Sequence, residues 1–366
     1  MDIRVAVARA PNAPFTLEAA TLEDPRPGEV RVRIAGVGLC HTDLVARDQL
    51  IPIPLPAVLG HEGAGIVERV GEGVTGVAPG DTVVMSFASC GHCRRCAAHL
   101  PGYCREFSPL NFAGVRPDGS SGVHIAGQPV SANFFGQSSF ASHALALAKD
   151  VVKVRTSLPI EELGPLGCGL QTGAGGVIRA LAPPAGASIA VFGGGPVGLA
   201  AVMAAKIRGC DPILIVEPIA GRRRLALELG ATHAIDPAAG DVAAAIRAVC
   251  ADGLDFAFET SGRQEVAEAA LASLASYGLL GLVGVPPRID ATLGINLAGL
   301  ITFGHRIHGI IEGDSDPQTF IPELIAHREA GRFPFERLIA TYPLDDINEA
   351  IAAQLRGDCV KAVLIP

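Results

Sequence analysis

The chain has no tryptophan, three tyrosines and three methionines, and charged residues make up only 18% of its 366 positions. Hydrophobic residues account for 49%, yet no apolar run approaches the eighteen or more needed to span a bilayer as a helix. This balance excludes a helical membrane protein and a disordered chain alike. The opening MDIRVAVA lacks the basic segment, apolar stretch and small-residue cleavage site of a secretory signal, so a cytoplasmic protein is expected. Positive charge is in slight deficit: 29 Lys and Arg against 37 Asp and Glu give a net charge of -8, spread along the chain. There is accordingly no basic footprint for nucleic acid or anionic lipid. The one cationic run, Arg222 to Arg224, reads as a solvated helix start. Internal repeats and low-complexity tracts are absent too.

The length exceeds what one hydrophobic core usually organises, so two domains are expected. The first part is β-rich: Val30, Val32 and Ile34 alternate with Arg31 and Arg33, and GAGIVERV and GDTVVMSF follow between Gly and Pro breaks. From Ser188 short apolar strands (SIAVFG, PILIVE, DFAFETSG, YGLLGLVGVP) alternate with Ala-rich helical stretches. That pattern predicts an α/β, doubly wound parallel sheet whose strands are buried on both faces. The ending CVKAVLIP predicts a strand that returns to the first domain.

Gly193, Gly195 and Gly198 form a G-x-G-x-x-G between a predicted strand and a predicted helix. The first glycine permits a tight turn, the second lets the backbone approach a pyrophosphate, and the third lets helix and strand pack closely. Glu217 ends the next strand, where a carboxylate can accept hydrogen bonds from the adenosine ribose. A carboxylate there repels a 2′-phosphate, which favours NAD over NADP; Arg222 nearby could contact the ribose or tolerate the phosphate.

Nine cysteines in a reducing compartment point to ligands or buried thiols rather than disulfides. Cys90, Cys93, Cys96 and Cys104 follow C-x2-C-x2-C-x7-C. Four thiolates at this spacing can close a tetrahedral zinc shell with no open position, as structural sites do. A zinc-finger role in nucleic-acid binding competes, but no basic recognition helix follows. A second, dispersed set comprises Cys40 in GVGLCHTD, His61 and Glu62 in LGHEGAG, and Cys168 in GPLGCGLQTGAG. Each alone is weak, since a single cysteine is most often a small buried hydrophobe.

Taken together, these motifs resemble the zinc-containing medium-chain alcohol dehydrogenases over essentially the whole chain. The resemblance implies a barrel-like, GroES-like catalytic domain (1–169 and 309–366, with a structural zinc lobe at 90–104) interrupted by a Rossmann nucleotide-binding domain (170–308). It implies catalytic zinc on Cys40, His61 and Cys168, with Glu62 able to approach or ligate the metal. Thr42 then bonds the substrate oxygen and Asp43 orients His61. It further places His41 and Lys361 at the cofactor pyrophosphate and Thr172 near the nicotinamide, and implies a homodimer, with a tetramer as the other family form. Many members carry a histidine three positions after the Thr to end a proton relay; this chain has Val45.

Within the family, GLCHTDLVARDQ, FFGQSSFASHAL and ELGPLGCGLQTGAG look most like the aryl (benzyl) alcohol dehydrogenases, a branch that includes allylic terpene alcohol dehydrogenases. The implied pocket draws on Phe87, Phe134 and Phe135, with Phe140 in the same segment. Glutathione-dependent formaldehyde oxidation is an alternative, with Arg105 as its one candidate rim cation. A general primary alcohol dehydrogenase and a non-enzymatic binding protein on the same fold are the others.

Overall fold

The structure is a computed structural model that describes all 366 residues, Met1–Pro366. It divides into two compact units: Met1–Cys168 with Asp316–Ala326 and Glu336–Pro366, and Gly169–Ser315 with His327–Phe335. No helix is long and apolar enough to cross a membrane.

The first unit is built from two sheets. One orders Ala57–Val58, Asp2–Ala8, Thr16–Leu22, Val123–Ile125 and Gln128–Pro129, all antiparallel. The other centres on Glu29–Gly38, where Val30, Val32 and Ile34 are buried and Arg33 is exposed, realising the alternation in the sequence. Gly63–Val70 and Thr82–Met85 pair on one side of it. On the other side lies Lys361–Ile365, antiparallel with Val363 opposite Gly38. The C-terminal segment thus returns to the first unit. Each fully buried Val, Ile or Phe here contributes about 1.5–3 kcal/mol relative to an exposed one.

The second unit carries a parallel six-stranded sheet ordered His233–Ile235, Ile213–Val216, Ile189–Phe192, Leu254–Glu259, Leu274–Leu282, Arg306–Gly309. Ala190, Phe192, Leu214, Val216, Leu254 and Leu280 form its core, which is why these strands lack polar alternation. The chain order reverses between Ile189–Phe192 and Leu254–Glu259, so the loops after those two strands diverge and open a crevice at the strands' C-terminal ends.

The sequence places the unit boundaries after residues 169 and 308; the units divide after Cys168 and Ser315. The later return has a local cause. Arg306–Gly309 is the sixth strand of the parallel sheet, and the turn Glu312–Asp314 packs on the helix Gly169–Gly175 so closely that a Cβ on Gly175 would lie 2.5 Å from Gly313 O.

Candidate active site

Cys40 precedes the short helix His41–Arg47, and the carboxylate of Asp43 in its first turn ties three segments together. Asp43 Oδ2 accepts from Cys40 N–H at 2.9 Å, Oδ1 accepts from Gly60 N–H at 3.1 Å, and Oδ1 lies 2.8 Å from His61 Nδ1. With Nδ1 so engaged, His61 Nε2 is the ring atom left for a ligand; it is buried and has no hydrogen-bond partner. The donor atoms of Cys40, His61, Glu62 and Cys168 all lie within 4.8 Å of one another. Gly38 gives the Glu62 carboxylate its room: a Cβ there would stand 2.0 Å from Oε2, so a larger residue would displace that side chain.

Titration follows from this crowding. The hydrogen bond from Cys168 lowers Cys40 well below the usual thiol range against the opposing effect of burial. Burial alone would depress His61, but Asp43 and Cys40 outweigh it and raise it well above the ordinary imidazole value. Burial raises Glu62 to about 7, with Lys361 opposing. Two sulfurs, an imidazole and a carboxylate converging on one point, with an orphaned Nε2, fit a zinc ion that would displace these protons. Thr42 Oγ1 sits 3.7 Å from Cys40 Sγ, beside the cluster. Val45 is buried and offers no proton acceptor.

The Lys361 side chain is 2% exposed, and Nζ pairs with Glu62 Oε2 at 2.5 Å and donates to Leu39 O at 2.9 Å, which leaves one of its three N–H donors without a named partner. His41, in contrast, is exposed. Phe134 and Phe135 both touch the His61 ring. Phe87 packs on Phe107 instead, and Phe140 is core, set edge-on to Phe15.

The lobe Cys90 to Cys104 brings its four sulfurs within 4.8 Å of one another. Backbone N–H groups already point at them: Cys90 N to Cys104 Sγ at 3.2 Å, Cys93 N to Cys90 Sγ at 3.3 Å, Glu106 N to Cys104 Sγ at 3.4 Å. Donation from the Arg105 backbone pulls Cys93 down to about 6, while burial pushes Cys104 up to about 12. Four mutually close sulfurs fit a closed metal shell; His92 and Glu106 bring donor atoms near Cys90 alone. His92 and His99 are exposed, and His99 lies 2.9 Å from Asp316.

In the second unit, Gly193 has φ +104, and its Cβ would meet Thr260 Oγ1 at 2.6 Å. A Cβ on Gly198 would lie 1.8 Å from Gly193 O, whereas one on Gly195 would meet nothing within 4 Å. Turn, close packing and open approach therefore fall on the three glycines as the motif requires, at the N-terminus of the helix Pro196–Arg208. Glu217 is buried, accepting from Gly194 N–H at 2.5 Å and Ile219 N–H at 2.8 Å. Arg223, which the sequence did not single out, braces this corner by donating to Glu217 O at 2.7 Å and pairing with Asp236 at 2.8 Å. Arg222 and Arg223 are half-buried and only Arg224 is exposed, so the run is not a fully solvated one. Thr172 Oγ1 donates to Glu312 at 3.4 Å.

Gln137 also escaped the sequence reading. Its amide donates to His61 O at 2.9 Å and accepts from Gly63 N–H at 3.1 Å, fastening the segment after Phe135 to His61 and to the start of the strand Gly63–Val70 that follows it.

Comparison with known proteins joins these observations. Residues 26–156 match the alcohol dehydrogenase GroES-like domain and residues 196–327 the zinc-binding dehydrogenase family. Geraniol dehydrogenase from Castellaniella defragrans is 49% identical, with 100% of this chain and 98% of that protein covered. The chain belongs to the zinc-dependent alcohol dehydrogenase family. A zinc-binding alcohol dehydrogenase domain protein from Burkholderia ambifaria superposes with a TM-score of 0.98 at 49% identity, covering 100% of this chain and 99% of that one. Benzyl alcohol dehydrogenase from Acinetobacter calcoaceticus gives 0.96 at 40% identity with the same coverage. The dehydrogenase is therefore an enzyme of alcohol oxidoreduction that uses zinc and a nicotinamide cofactor, on a GroES-like plus Rossmann fold. The non-enzymatic reading falls.

Proposed function

We propose that the chain reversibly oxidises primary aryl or allylic alcohols, of benzyl or geraniol type, to aldehydes with NAD. The observation that carries the substrate class is the pair Phe134 and Phe135, packed against the His61 ring with centroids 5.3 and 4.4 Å away. Flat aromatic walls beside the reacting centre favour a conjugated substrate. The names of the two relatives above agree with this.

Cys40, His61 and Cys168 would hold the catalytic zinc, with Glu62 adjacent. Zinc, when bound, supplies the Lewis acidity that lets an alcohol release its proton near neutral pH. Thr42 would accept the hydrogen bond of the substrate hydroxyl and take up its proton, and Val45, buried and apolar, offers no further acceptor along that helix. The nicotinamide, when bound at the Gly193–Gly198 turn, would supply a two-electron hydride acceptor for the carbinol carbon, which accounts for both electrons. Glu217 selects NAD by accepting the ribose hydroxyls and repelling a 2′-phosphate. Cys90, Cys93, Cys96 and Cys104 would hold a second, structural zinc, making two per chain.

A homodimer is supported by the second unit, where Tyr277, Ile289, Leu297, Ile301 and Phe303 are exposed and Arg306–Gly309 is an edge strand. Nine unbridged cysteines suit the cytoplasm. The glutathione-adduct reading is not favoured, because Arg105 is already paired with Glu106 at 3.1 Å.

The test compares specificity constants for benzyl alcohol, geraniol, ethanol and the glutathione adduct of formaldehyde with NAD. Benzyl or allylic alcohols should exceed ethanol by several orders of magnitude, since each buried methylene-sized increment contributes about 0.8 kcal/mol. A win for ethanol or the adduct would overturn the substrate class and leave the zinc and NAD assignments standing.

A further inference from the structure

Phe135 has a backbone conformation that a residue with a side chain avoids: φ is +50° and ψ 32°, in the left-handed region. Its surroundings over-determine that state. Gly136 N–H donates to Asn133 O at 3.1 Å, and both Gln137 N–H and Ser138 N–H donate to Phe134 O. Ser138 Oγ accepts from Phe134 N–H at 2.9 Å and donates to Val58 O at 2.6 Å. The Gln137 amide locks the same turn to His61 O and Gly63 N–H.

The strained conformation lays the Phe135 ring flat on His61. The centroids are 4.4 Å apart and the planes 22° from parallel, while Phe134 meets the imidazole edge-on at 5.3 Å and 89°. Phe135 is itself backed by Phe112 at 5.3 Å and Phe107 at 6.3 Å, so it cannot retreat without disturbing other rings. Asp43 pins one atom of the imidazole, Nδ1, at 2.8 Å. The ring's bond to Cβ and this one hydrogen bond still allow small out-of-plane rocking, which displaces Nε2 relative to Cys40 and Cys168. A flat face against the ring removes that freedom.

We propose that Phe135 is a positioning residue: it fixes the plane of His61 so that Nε2 is presented to the catalytic metal, a role separate from lining the substrate pocket. Backbone strain at functional positions is maintained when the geometry it produces is used, and partners that orient a metal-binding imidazole govern metal affinity and reactivity. The inference rests on the reading of Cys40, His61 and Cys168 as the ligand set.

The experiment substitutes cobalt(II) for the catalytic zinc in the full-length protein and records the visible d–d spectrum, the rate of metal loss to a chelator, and kcat and KM. It does so for the unmodified protein, Phe135→Leu, Phe135→Tyr and Phe333→Leu, the last altering a buried phenylalanine of the other unit whose ring packs on Phe335. Phe135→Leu should shift the d–d bands, speed metal loss by about 10–100-fold and lower kcat. Phe135→Tyr, which keeps the flat face, should retain the original spectrum, and Phe333→Leu should lower stability without moving the spectrum or the metal-loss rate. Phe135→Met, close to phenylalanine in volume, serves if the leucine variant does not fold. A Leu or Met variant with unchanged spectrum and metal-loss rate, altered only in KM, would show that Phe135 is a wall and nothing more. If the unmodified protein gives no tetrahedral cobalt spectrum, the ligand assignment itself fails and the inference falls with it.

Discussion

Lys361 Nζ lies 2.5 Å from Glu62 Oε2, both side chains withdrawn from solvent. A buried pair of this kind adds little net stability as a pair, but removing one partner strands the other charge. Lys361→Met should therefore lower unfolding free energy by about 3–5 kcal/mol, and Lys361→Met combined with Glu62→Gln should lose less than the single change. Urea unfolding of the three proteins measures the coupling. Equal losses in single and double variants would mean that the ammonium serves Leu39 O alone.

The two cysteine sets should separate functionally. Cys40→Ser or Cys168→Ser is expected to lose one zinc per chain and nearly all turnover while still binding NAD, because the glycine turn belongs to the other unit. Cys93→Ser or Cys104→Ser should instead lose the other zinc and lower the melting temperature, with more activity per folded molecule left than in the Cys40 variant. Metal analysis with parallel thermal melts distinguishes them. Two zincs and full turnover in Cys40→Ser would refute the catalytic assignment.

Glu217→Ala should weaken NAD binding by about 10–100-fold through lost charge-assisted hydrogen bonds, with a much smaller change for NADP. The gap between the cofactors narrows mainly through Kd, which fluorescence titration reads directly. Because Glu217 also holds Gly194 N–H, some loss for both cofactors is expected from a looser turn. Equal affinity for NAD and NADP in the unmodified enzyme would contradict the ribose role.

Glu259 gives a pH prediction remote from the metals. It ends the strand Leu254–Glu259, is buried, and accepts from Ser261 N–H at 2.6 Å and Gly262 N–H at 3.1 Å, yet burial keeps its pKa above 4.5. The folded state then binds this proton more tightly than the unfolded state does. The group's contribution to stability falls as pH rises from the unfolded carboxylate's 4.5 through the raised folded value, and is level above it. Glu259→Gln should escape that loss, so its melting temperature should gain on the parent as pH rises toward neutrality. A constant difference across that window would show that the carboxylate's titration is not the cause.

How much of this the sequence carried depends on how local each signal is. The glycine turn and the four-cysteine lobe are contiguous, and their spacing alone prescribes their geometry. Cys40, His61 and Cys168 are far apart, so only their Gly-rich settings and the family likeness brought them together. Gln137 left no pattern at all, since the bonds that tie it to the site run to backbone atoms 76 and 74 residues away. Phe140 read like its neighbours Phe134 and Phe135, but which ring reaches His61 depends on a left-handed residue that no periodicity announces. The Lys361–Glu62 pair left no pattern either, since the two residues are 299 positions apart and only the strand that returns to the first unit brings them together.

The second unit is stitched at its own ends: Ser315 Oγ lies 3.5 Å from Gln171 Oε1, and Thr172 donates to Glu312. To the first unit, the intervening chain of roughly 150 residues is a loop. Left flexible, a loop of that length would cost about 4 kcal/mol of closure entropy. Folding of the second unit ties the loop's ends together beforehand, immediately after the ligand Cys168 and immediately before Asp316, which anchors His99 of the cysteine lobe. A lesion in the nucleotide-binding unit that loosens this knot should therefore appear as slower refolding of the metal-binding unit, even when every zinc ligand is intact.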